Sequence, residues 1–204
     1  METNATNYYQ PEFMVRRKPS LWEATKTCLI KKYAVFSGRA RRSEYWWFML
    51  AQYLLSTILG FVAVSCVIIQ VIILGITESE EVINNFNPID LYLKNPGMWL
   101  YALVSIALII PNLSAAARRL HDIGLSGWYL MLPMVISPLM IAGTVILTIY
   151  NNSLWYSIPV AYLISLAIMI IFLVWLCTDS KKESNEWGPS PKYFKPDQET
   201  FPQR

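Results

Sequence analysis

Residues 46–74 have the sequence WWFMLAQYLLSTILGFVAVSCVIIQVIIL, which contains no Asp, Glu, Lys, Arg or His. A transmembrane helix needs about 20 mostly apolar residues to cross a hydrocarbon core about 30 Å thick. This run is longer, so we expect the helix to tilt, bend or leave the bilayer near Gly75. An uncharged apolar run of this length decides the class of the protein, because it is typical of a membrane span.

Three more runs of the same kind follow at residues 98–117, 128–150 and 154–177. The composition agrees with them, since 54% of the residues are hydrophobic and 15% are charged, against about 25% charged in soluble domains. The sequence therefore predicts an all-α, polytopic membrane protein with a four-transmembrane-helix bundle. We expect a flexible N-terminal segment at 1–19, a single membrane domain at 20–195 and a C-terminal tail at 196–204.

The basic residues predict the orientation, because cytoplasmic loops of membrane proteins carry an excess of Lys and Arg. Nine precede the first run, two lie between the second and third runs, and five follow the fourth. The loop between the first two runs has Lys94 alone, and the loop between the last two has none. We therefore predict a multi-pass membrane protein with both the N-terminus and the C-terminus cytoplasmic.

The segment ahead of the first run has the pattern of an amphipathic helix. Ser20 and Glu23 have the spacing of a capping box, in which each side chain bonds the backbone N–H of the other residue. Apolar residues follow at roughly helical spacing, beside three lysines (Leu21, Trp22, Cys28, Leu29, Tyr33 and Phe36; Lys26, Lys31 and Lys32). We predict an amphipathic interfacial helix over 20–34 on the inner membrane surface. Packing of the same stripe on the protein's own cytoplasmic loops is the alternative.

Three separated motifs resemble the signature of a known family. Residues 36–47 have the sequence FSGRARRSEYWW, residues 117–128 have ARRLHDIGLSGW, and residues 185–191 have NEWGPSP. Their order and composition closely resemble the domain of unknown function 805 family, the YhaH-like bacterial inner-membrane proteins. The resemblance covers about residues 25–195. It implies a small polytopic inner-membrane protein and assigns no activity.

The second motif also has a physical interpretation of its own. Arg118 and Arg119 end the second run, where cations complement the negative end of the helix dipole. Gly124 can adopt the left-handed conformation that ends a helix, and Ser126 is placed to cap the next one. Within the runs, we expect proline to kink the helices at Pro111, Pro133 and Pro138.

Eight residues of the first two motifs form a candidate ionic network or anion site: Arg39, Arg41, Arg42, Glu44, Arg118, Arg119, His121 and Asp122. Arginine pairs readily with carboxylate or phosphate because its planar fork donates two parallel hydrogen bonds. In one interpretation, Glu44 pairs with Arg118 or Arg119, and Asp122 pairs with an arginine of the first motif, so that the network clamps the helix ends. In the other, the excess arginines also bind lipid phosphate or another anion.

His121 is the one histidine of the chain, and we expect it to hydrogen-bond structurally. A zinc site needs three or four suitable ligands, and no catalytic motif accompanies the histidine. We expect no catalytic residue, metal or cofactor. The proline-rich segment that begins at Trp187 is not expected to be helical, and its aromatic side chains are placed to dock back onto the arginine motifs.

The function expected is that of a non-enzymatic membrane protein whose basic cytoplasmic face binds anionic lipid headgroups or a membrane partner. One alternative is an oligomeric transporter or channel for a small neutral or hydrophobic substrate, since the runs lack the ionisable residues of ion pathways. A second is a membrane enzyme that acts on lipid headgroups. The partners expected are the lipid bilayer, with anionic phospholipid, and a second copy or another membrane protein. Nucleic acid is not expected, because the positive-inside pattern already explains the basic residues.

Overall fold

The computed structural model describes residues 12–77, 88–151 and 154–195. Its helices and strands are β1 (Met14–Val15), α1 (Leu21–Lys26), α2 (Arg42–Thr77), α3 (Pro88–Leu93), α4 (Pro96–Ile123), α5 (Ser137–Tyr150), α6 (Ser157–Cys177) and β2 (Tyr193–Phe194). Shorter helical turns lie between them: two π-helical turns, Thr27–Lys31 and Leu132–Ile136, and one 3-10 helix, Gly127–Leu130. Parts of the predicted N-terminal segment and outer loop, and the predicted tail, lie outside the described residues.

Four helical segments are long and apolar enough to cross a membrane: Arg42–Ile76, Pro96–Ile123, Gly127–Tyr150 and Ser157–Cys177. In the most apolar part of each, between 6% and 33% of the residues are buried within the protein. Most of their apolar side chains therefore lie on the surface, as expected where lipid is the solvent. The prediction of an all-α polytopic membrane protein is confirmed. The predicted domain boundaries stay predictions.

The first two spanning helices are longer than the apolar runs predict. Helix α2 begins at Arg42 and continues through Gly75 to Thr77, and α4 ends at Ile123. Much of both basic motifs is therefore helical. Elongating an existing helix adds one hydrogen bond for each residue fixed, so a helix can extend beyond its apolar run where the polar side chains find partners.

The described chain divides into two compact units. The first consists of residues 12–19 and 36–43 and the described residues from 116 onward. Within it, α5 packs against α6, and β1 pairs with β2 in an antiparallel ribbon in which Met14 lies opposite Phe194. The π-helical turn Leu132–Ile136 contains Pro133, which has no N–H to donate. A backbone irregularity therefore occurs where proline was predicted to disturb the helix.

The second unit consists of residues 20–35 and the described residues within 44–115. The predicted capping box is confirmed, since Ser20 N donates to Glu23 Oε2 over 2.9 Å and Glu23 N donates to Ser20 Oγ over 3.3 Å. Helix α1 and its π-helical turn end at Lys31, and they bury Cys28 while Trp22 stays 69% exposed. The helix is therefore present, and its location on the membrane surface stays a prediction.

Candidate functional site

The second motif forms the last turns of α4 and the start of the third spanning segment. Gly124 has φ +84°, the left-handed conformation that glycine adopts at low cost, and it ends α4 as predicted. Ser126 Oγ then accepts a hydrogen bond from Trp128 N over 3.4 Å and caps the 3-10 helix. This tight connection fixes His121 and Asp122 at the end of a rigid helix.

Asp122 lies at the centre of a buried ionic cluster. Its Oδ1 accepts from Arg39 Nε over 2.9 Å, and its Oδ2 accepts from an Arg119 terminal nitrogen over 2.6 Å. Ser180 Oγ donates to the same Oδ2. The three charged side chains are at most 1% exposed. A buried carboxylate is costly unless it is paired and hydrogen-bonded, and here both of its oxygens have partners.

Arg39 joins Asp122 to the segment that follows α6. Besides its ion pair, its two terminal nitrogens donate to four backbone carbonyls, those of Asp122 (3.2 Å), Lys181 (2.7 Å), Glu183 (2.8 Å) and Gly188 (3.2 Å). A guanidinium has five N–H donors in a fixed plane, and this environment supplies acceptors around the whole plane. Arg39 is therefore a structural connector between the first motif and the segment that follows α6.

Arg119 and Arg42 satisfy the carbonyls at the end of α6. Arg119 donates to Leu176 O over 3.1 Å and to Thr178 O, and Arg42 donates to Cys177 O over 3.1 Å. The last carbonyls of a helix have no partner within it and carry partial negative charge. The two arginines therefore complete the C-terminus of the fourth spanning helix.

The remaining motif arginines also lie within the first unit. Arg41 is 5% exposed and donates to Arg16 O over 2.8 Å and Arg17 O over 3.1 Å, which holds the N-terminal segment. Arg118 is fully buried, and its carbonyl accepts from Ala40 N over 2.9 Å. Of the five motif arginines, four are thus buried, and Arg42 is exposed.

His121 is held by the segment that follows α6 and by the first motif. Its ring stacks on Trp187 with 4.5 Å between centroids and 5° between planes. Its Nδ1 lies 3.2 Å from Gly38 O, so that nitrogen carries the hydrogen of the bond, since a carbonyl can only accept. Asn185 Nδ2 donates to His121 O over 2.8 Å. The proline-rich segment that begins at Trp187 was predicted to dock onto the arginine motifs, and the stack of Trp187 on His121 confirms this.

Glu44 belongs to the second unit, where its Oε1 lies 4.0 Å from Cys28 Sγ. Its predicted pairing with Arg118 or Arg119 stays a prediction. Of the eight candidate residues, the structure therefore brings Arg39, Arg119 and Asp122 into one ionic cluster. The side chain of His121 contacts Gly38 and Trp187 instead. Among the residues that the structure describes, no group of three or more His, Cys, Asp and Glu side chains could hold a metal ion.

Ser180 is a member of the cluster that the sequence did not indicate. It follows α6 by a few residues and is 6% exposed. A single serine after a spanning helix carries no sequence signal for a carboxylate partner. The neighbouring Asp179–Ser180 pair of small polar residues, next to an apolar run, was the one feature that could have drawn attention to it.

A second aspartate, Asp179, forms an exposed ion pair with Lys192 beside the ribbon. Burial opposes ionisation of this carboxyl, but hydrogen bonds from Lys192, Ser180 N and Tyr193 Oη outweigh it and lower its pKa from 3.8 to about 2. Burial likewise opposes the charge on Lys192, and the bonds to Asp179 and Tyr193 raise the pKa of its amine above 10.5.

The comparisons with known proteins agree with the motifs. The family described as "Protein of unknown function (DUF805)" matches residues 33–189, which include the whole of both arginine motifs and Trp187. The chain belongs to this family. The resemblance that the motifs predicted is thereby confirmed.

Two relatives of this DUF805 chain are the inner membrane protein YhaI of Escherichia coli (strain K12) and that of Escherichia coli O157:H7. Each is 27% identical over 165 residues, which cover 81% of this chain and 92% of the relative. No solved structure matches the chain. Together with its four spanning helices, these relatives make the chain a multi-pass bacterial inner-membrane protein.

Proposed function

We propose that this chain is a non-enzymatic inner-membrane protein that binds the phosphate of anionic lipid headgroups on its cytoplasmic side. The observation that carries the proposal is a difference between the buried and the exposed basic residues. Arg39, Arg41 and Arg119 are buried and donate to oxygens of the protein itself. Exposed lysines and arginines are therefore the better candidates for an external anion.

A basic cavity beside the ribbon offers the place for that anion. It has a volume of about 530 Å³ and is lined by three cations, Arg16, Lys182 and Lys195, with one acid, Glu183. Each cation lies over an aromatic ring: Arg16 over Phe194 at 5.3 Å, Lys182 over Tyr193 at 6.0 Å and Lys195 over Phe13 at 5.0 Å. Lys195 also pairs with Glu12 over 3.1 Å. Three cations therefore face two acids, and the cavity keeps a net positive charge, which attracts phosphate.

The non-enzymatic part of the proposal rests on how His121 and Asp122 are used. The Asp122 oxygens are held by Arg39, Arg119 and Ser180. The imidazole of His121 lies against Trp187 and bonds Gly38 O. A general acid or base must reach the proton that it transfers. Both oxygens of Asp122 have partners within the fold, and the His121 residue is 8% exposed, with one ring face covered by Trp187.

We include the orientation in the same proposal. A cavity that binds anionic lipid on the cytoplasmic side requires it, and the positive-inside pattern favours both termini in the cytoplasm. Reporter fusions test it. Green fluorescent protein at either terminus should fluoresce, and alkaline phosphatase at the same positions should be inactive. Active phosphatase at either end would refute this orientation.

Lipid binding is tested by titrating detergent-solubilised protein with phosphatidylglycerol or phosphatidylcholine and following the complexes by native mass spectrometry. Lys182→Gln/Lys195→Gln removes two cavity charges. The control Lys26→Gln/Lys31→Gln removes two charges from exposed positions in the second unit. At about 1 kcal/mol for each basic residue, the cavity variant should weaken phosphatidylglycerol binding roughly 30-fold.

The control should bind phosphatidylglycerol nearly as well as wild type, and phosphatidylcholine should bind weakly to all three proteins. Equal weakening in both variants would show that net charge alone attracts the lipid. Unchanged binding in the cavity variant would refute the site.

A further inference from the structure

An open cavity of about 420 Å³ lies between the third and fourth spanning segments within the first unit. Its walls are mainly apolar, with two hydroxyl groups among them; they include Pro133, Pro138, Ile141, Met169, Ser137 and Ser165. Small-molecule sites are commonly cavities of about 300–1,000 Å³ with apolar walls and a few polar groups. The volume and the lining are therefore suitable for a small ligand.

The two hydroxyls set this cavity apart. Ser137 Oγ and Ser165 Oγ are buried, and neither has a hydrogen-bond partner within the described part of the chain. Ser137 as a whole is 7% exposed. A buried polar atom without a partner is unfavourable. These two groups therefore have hydrogen-bonding capacity that the fold does not use.

Other hydroxyls of α5 do not share this property. Thr144 Oγ1 donates to Ile141 O over 2.8 Å, and Thr148 Oγ1 donates to Thr144 O over 2.8 Å. Bonding to a carbonyl of the preceding turn is the usual solution for serine and threonine within a helix. This bond is missing at both cavity serines. Buried hydroxyls without a partner also occur elsewhere in the described chain, for example at Ser43. What distinguishes the cavity is that two such hydroxyls line it together.

Both serines lie near the middle of the predicted bilayer. Ser137 follows Gly127, the first residue of its span, by about 15 Å along the axis, and Ser165 precedes Cys177, the last residue of its span, by about 18 Å, at 1.5 Å per residue. The hydrocarbon core is about 30 Å thick. Water is absent at this depth, and the acyl chains of phospholipids have no polar group that could bond the two hydroxyls.

The backbone around the cavity is irregular as well. The π-helical turn Leu132–Ile136 directly precedes α5, and Pro138 is the second residue of that helix. Single π-helical turns occur often at functional sites, since they widen the helix locally and change the direction of side chains. Here the turn ends directly before Ser137, which lines the cavity.

We propose that this cavity binds a neutral, lipid-soluble molecule with a carbonyl oxygen that accepts hydrogen bonds from Ser137 and Ser165. The ligand is neutral because the cavity is lined by no ionisable side chain among the described residues. Its apolar body contacts Ile141, and it enters from the lipid, because Met169 lines the cavity and is 56% exposed. The site is independent of the cytoplasmic anion cavity. Its ligand belongs to the substrate class of the transporter alternative.

Photolabelling with benzophenone tests the site, because this neutral ketone inserts into nearby C–H bonds when it is irradiated. The purified protein in detergent should be labelled at Met169 or Ile141, as located by tandem mass spectrometry. Fluorenone and fluorene have the same shape and differ by the carbonyl group. From the worth of two hydrogen bonds, at about 1 kcal/mol each, fluorenone should compete roughly 30-fold better.

Three variants make the test specific. Ser137→Ala/Ser165→Ala should abolish the preference for fluorenone over fluorene. Thr144→Val, which removes a hydroxyl that already has a backbone partner, should keep it. Ala142→Phe fills the cavity and should abolish labelling, which keeps the proposal testable if the double variant does not fold. Label spread evenly over the apolar surface, or equal competition by fluorenone and fluorene in wild type, would overturn the proposal.

Discussion

Asp122 and Asp179 belong to the same unit and each forms an ion pair, yet their surroundings differ sharply. The side chain of Asp122 is 0% exposed and has two arginine partners that are equally buried. The side chain of Asp179 is 46% exposed, and that of its partner Lys192 is 18% exposed. Water hydrates both charges of the second pair even when the pair is broken, whereas the charges of the first pair are stabilised by the protein alone.

The two pairs also connect different parts of the chain. Asp122 joins the end of α4 to Arg39 and, through Ser180, to the segment after α6. Asp179 joins that segment to the strand end at Lys192. Breaking a buried pair leaves an uncompensated charge in a dry site, while breaking an exposed pair does not. The buried pair therefore organises the fold, and the exposed pair adds a small local contribution.

The largest expected effect is that of Asp122→Asn, which leaves two buried guanidiniums without their carboxylate. Removing one partner of a buried pair costs about 3–5 kcal/mol. The matched variant is Asp179→Asn, and both are compared by thermal unfolding in detergent, followed by tryptophan fluorescence. Similar losses in the two variants would contradict the contrast between buried and exposed pairs.

Deletion of residues 185–195 should have the next largest effect. It removes the Trp187 ring from His121, the Gly188 carbonyl from Arg39 and strand β2 from the ribbon. We expect a loss of about 3 kcal/mol, from one aromatic stack and several hydrogen bonds. The measurements are thermal stability and purified yield. Unchanged values would show that residues 185–195 are not part of the folded unit.

Gly124→Ala should destabilise by about 1–2 kcal/mol, because a side chain at φ +84° meets the left-handed penalty. The added Cβ would also clash with Lys181 Nζ, the flexible end of a side chain that can move away. Gly143→Ala is the control, since it lies inside α5 with nothing within 4 Å of the added atom. That variant should gain up to about 1 kcal/mol, and a loss there equal to that at Gly124 would refute the conformational argument.

The smallest effect is expected at the Asp179–Lys192 pair. Because the folded pKa of Asp179 is lowered to about 2 from 3.8, its contribution is present above about pH 4 and is lost as the pH falls through 2. The raised pKa of Lys192 makes its contribution present below 10.5 and lost at higher pH. Screening by solvent limits the pair to less than about 1 kcal/mol.

Chemical unfolding of wild type and Asp179→Asn at pH 7 and pH 3 checks this prediction. The difference between the two proteins should be small at pH 7 and smaller still at pH 3. A difference above about 2 kcal/mol at pH 7 would show that the exposed pair behaves like a buried one.

Sequence reasoning found the motif chemistry and missed part of its geometry. The capping box of Ser20 and the helix end at Gly124 followed from local rules and are present. Those features involve residues a few positions apart, for which backbone geometry alone determines the contact. Ser180 was not foreseen, because its contact with Asp122 joins residues 58 positions apart. No local pattern contains such information.

The sequence by itself determined that the chain crosses a membrane four times, because an uncharged apolar run of sufficient length is stable as a helix in lipid whatever surrounds it. It also determined the family, through motifs that are legible residue by residue. Only the tertiary structure decided that the motif arginines Arg39 and Arg119 face Asp122 and backbone carbonyls and not an external anion. The physical reason is that a guanidinium has the same donors in every setting, and its role depends on which oxygens the fold brings within reach.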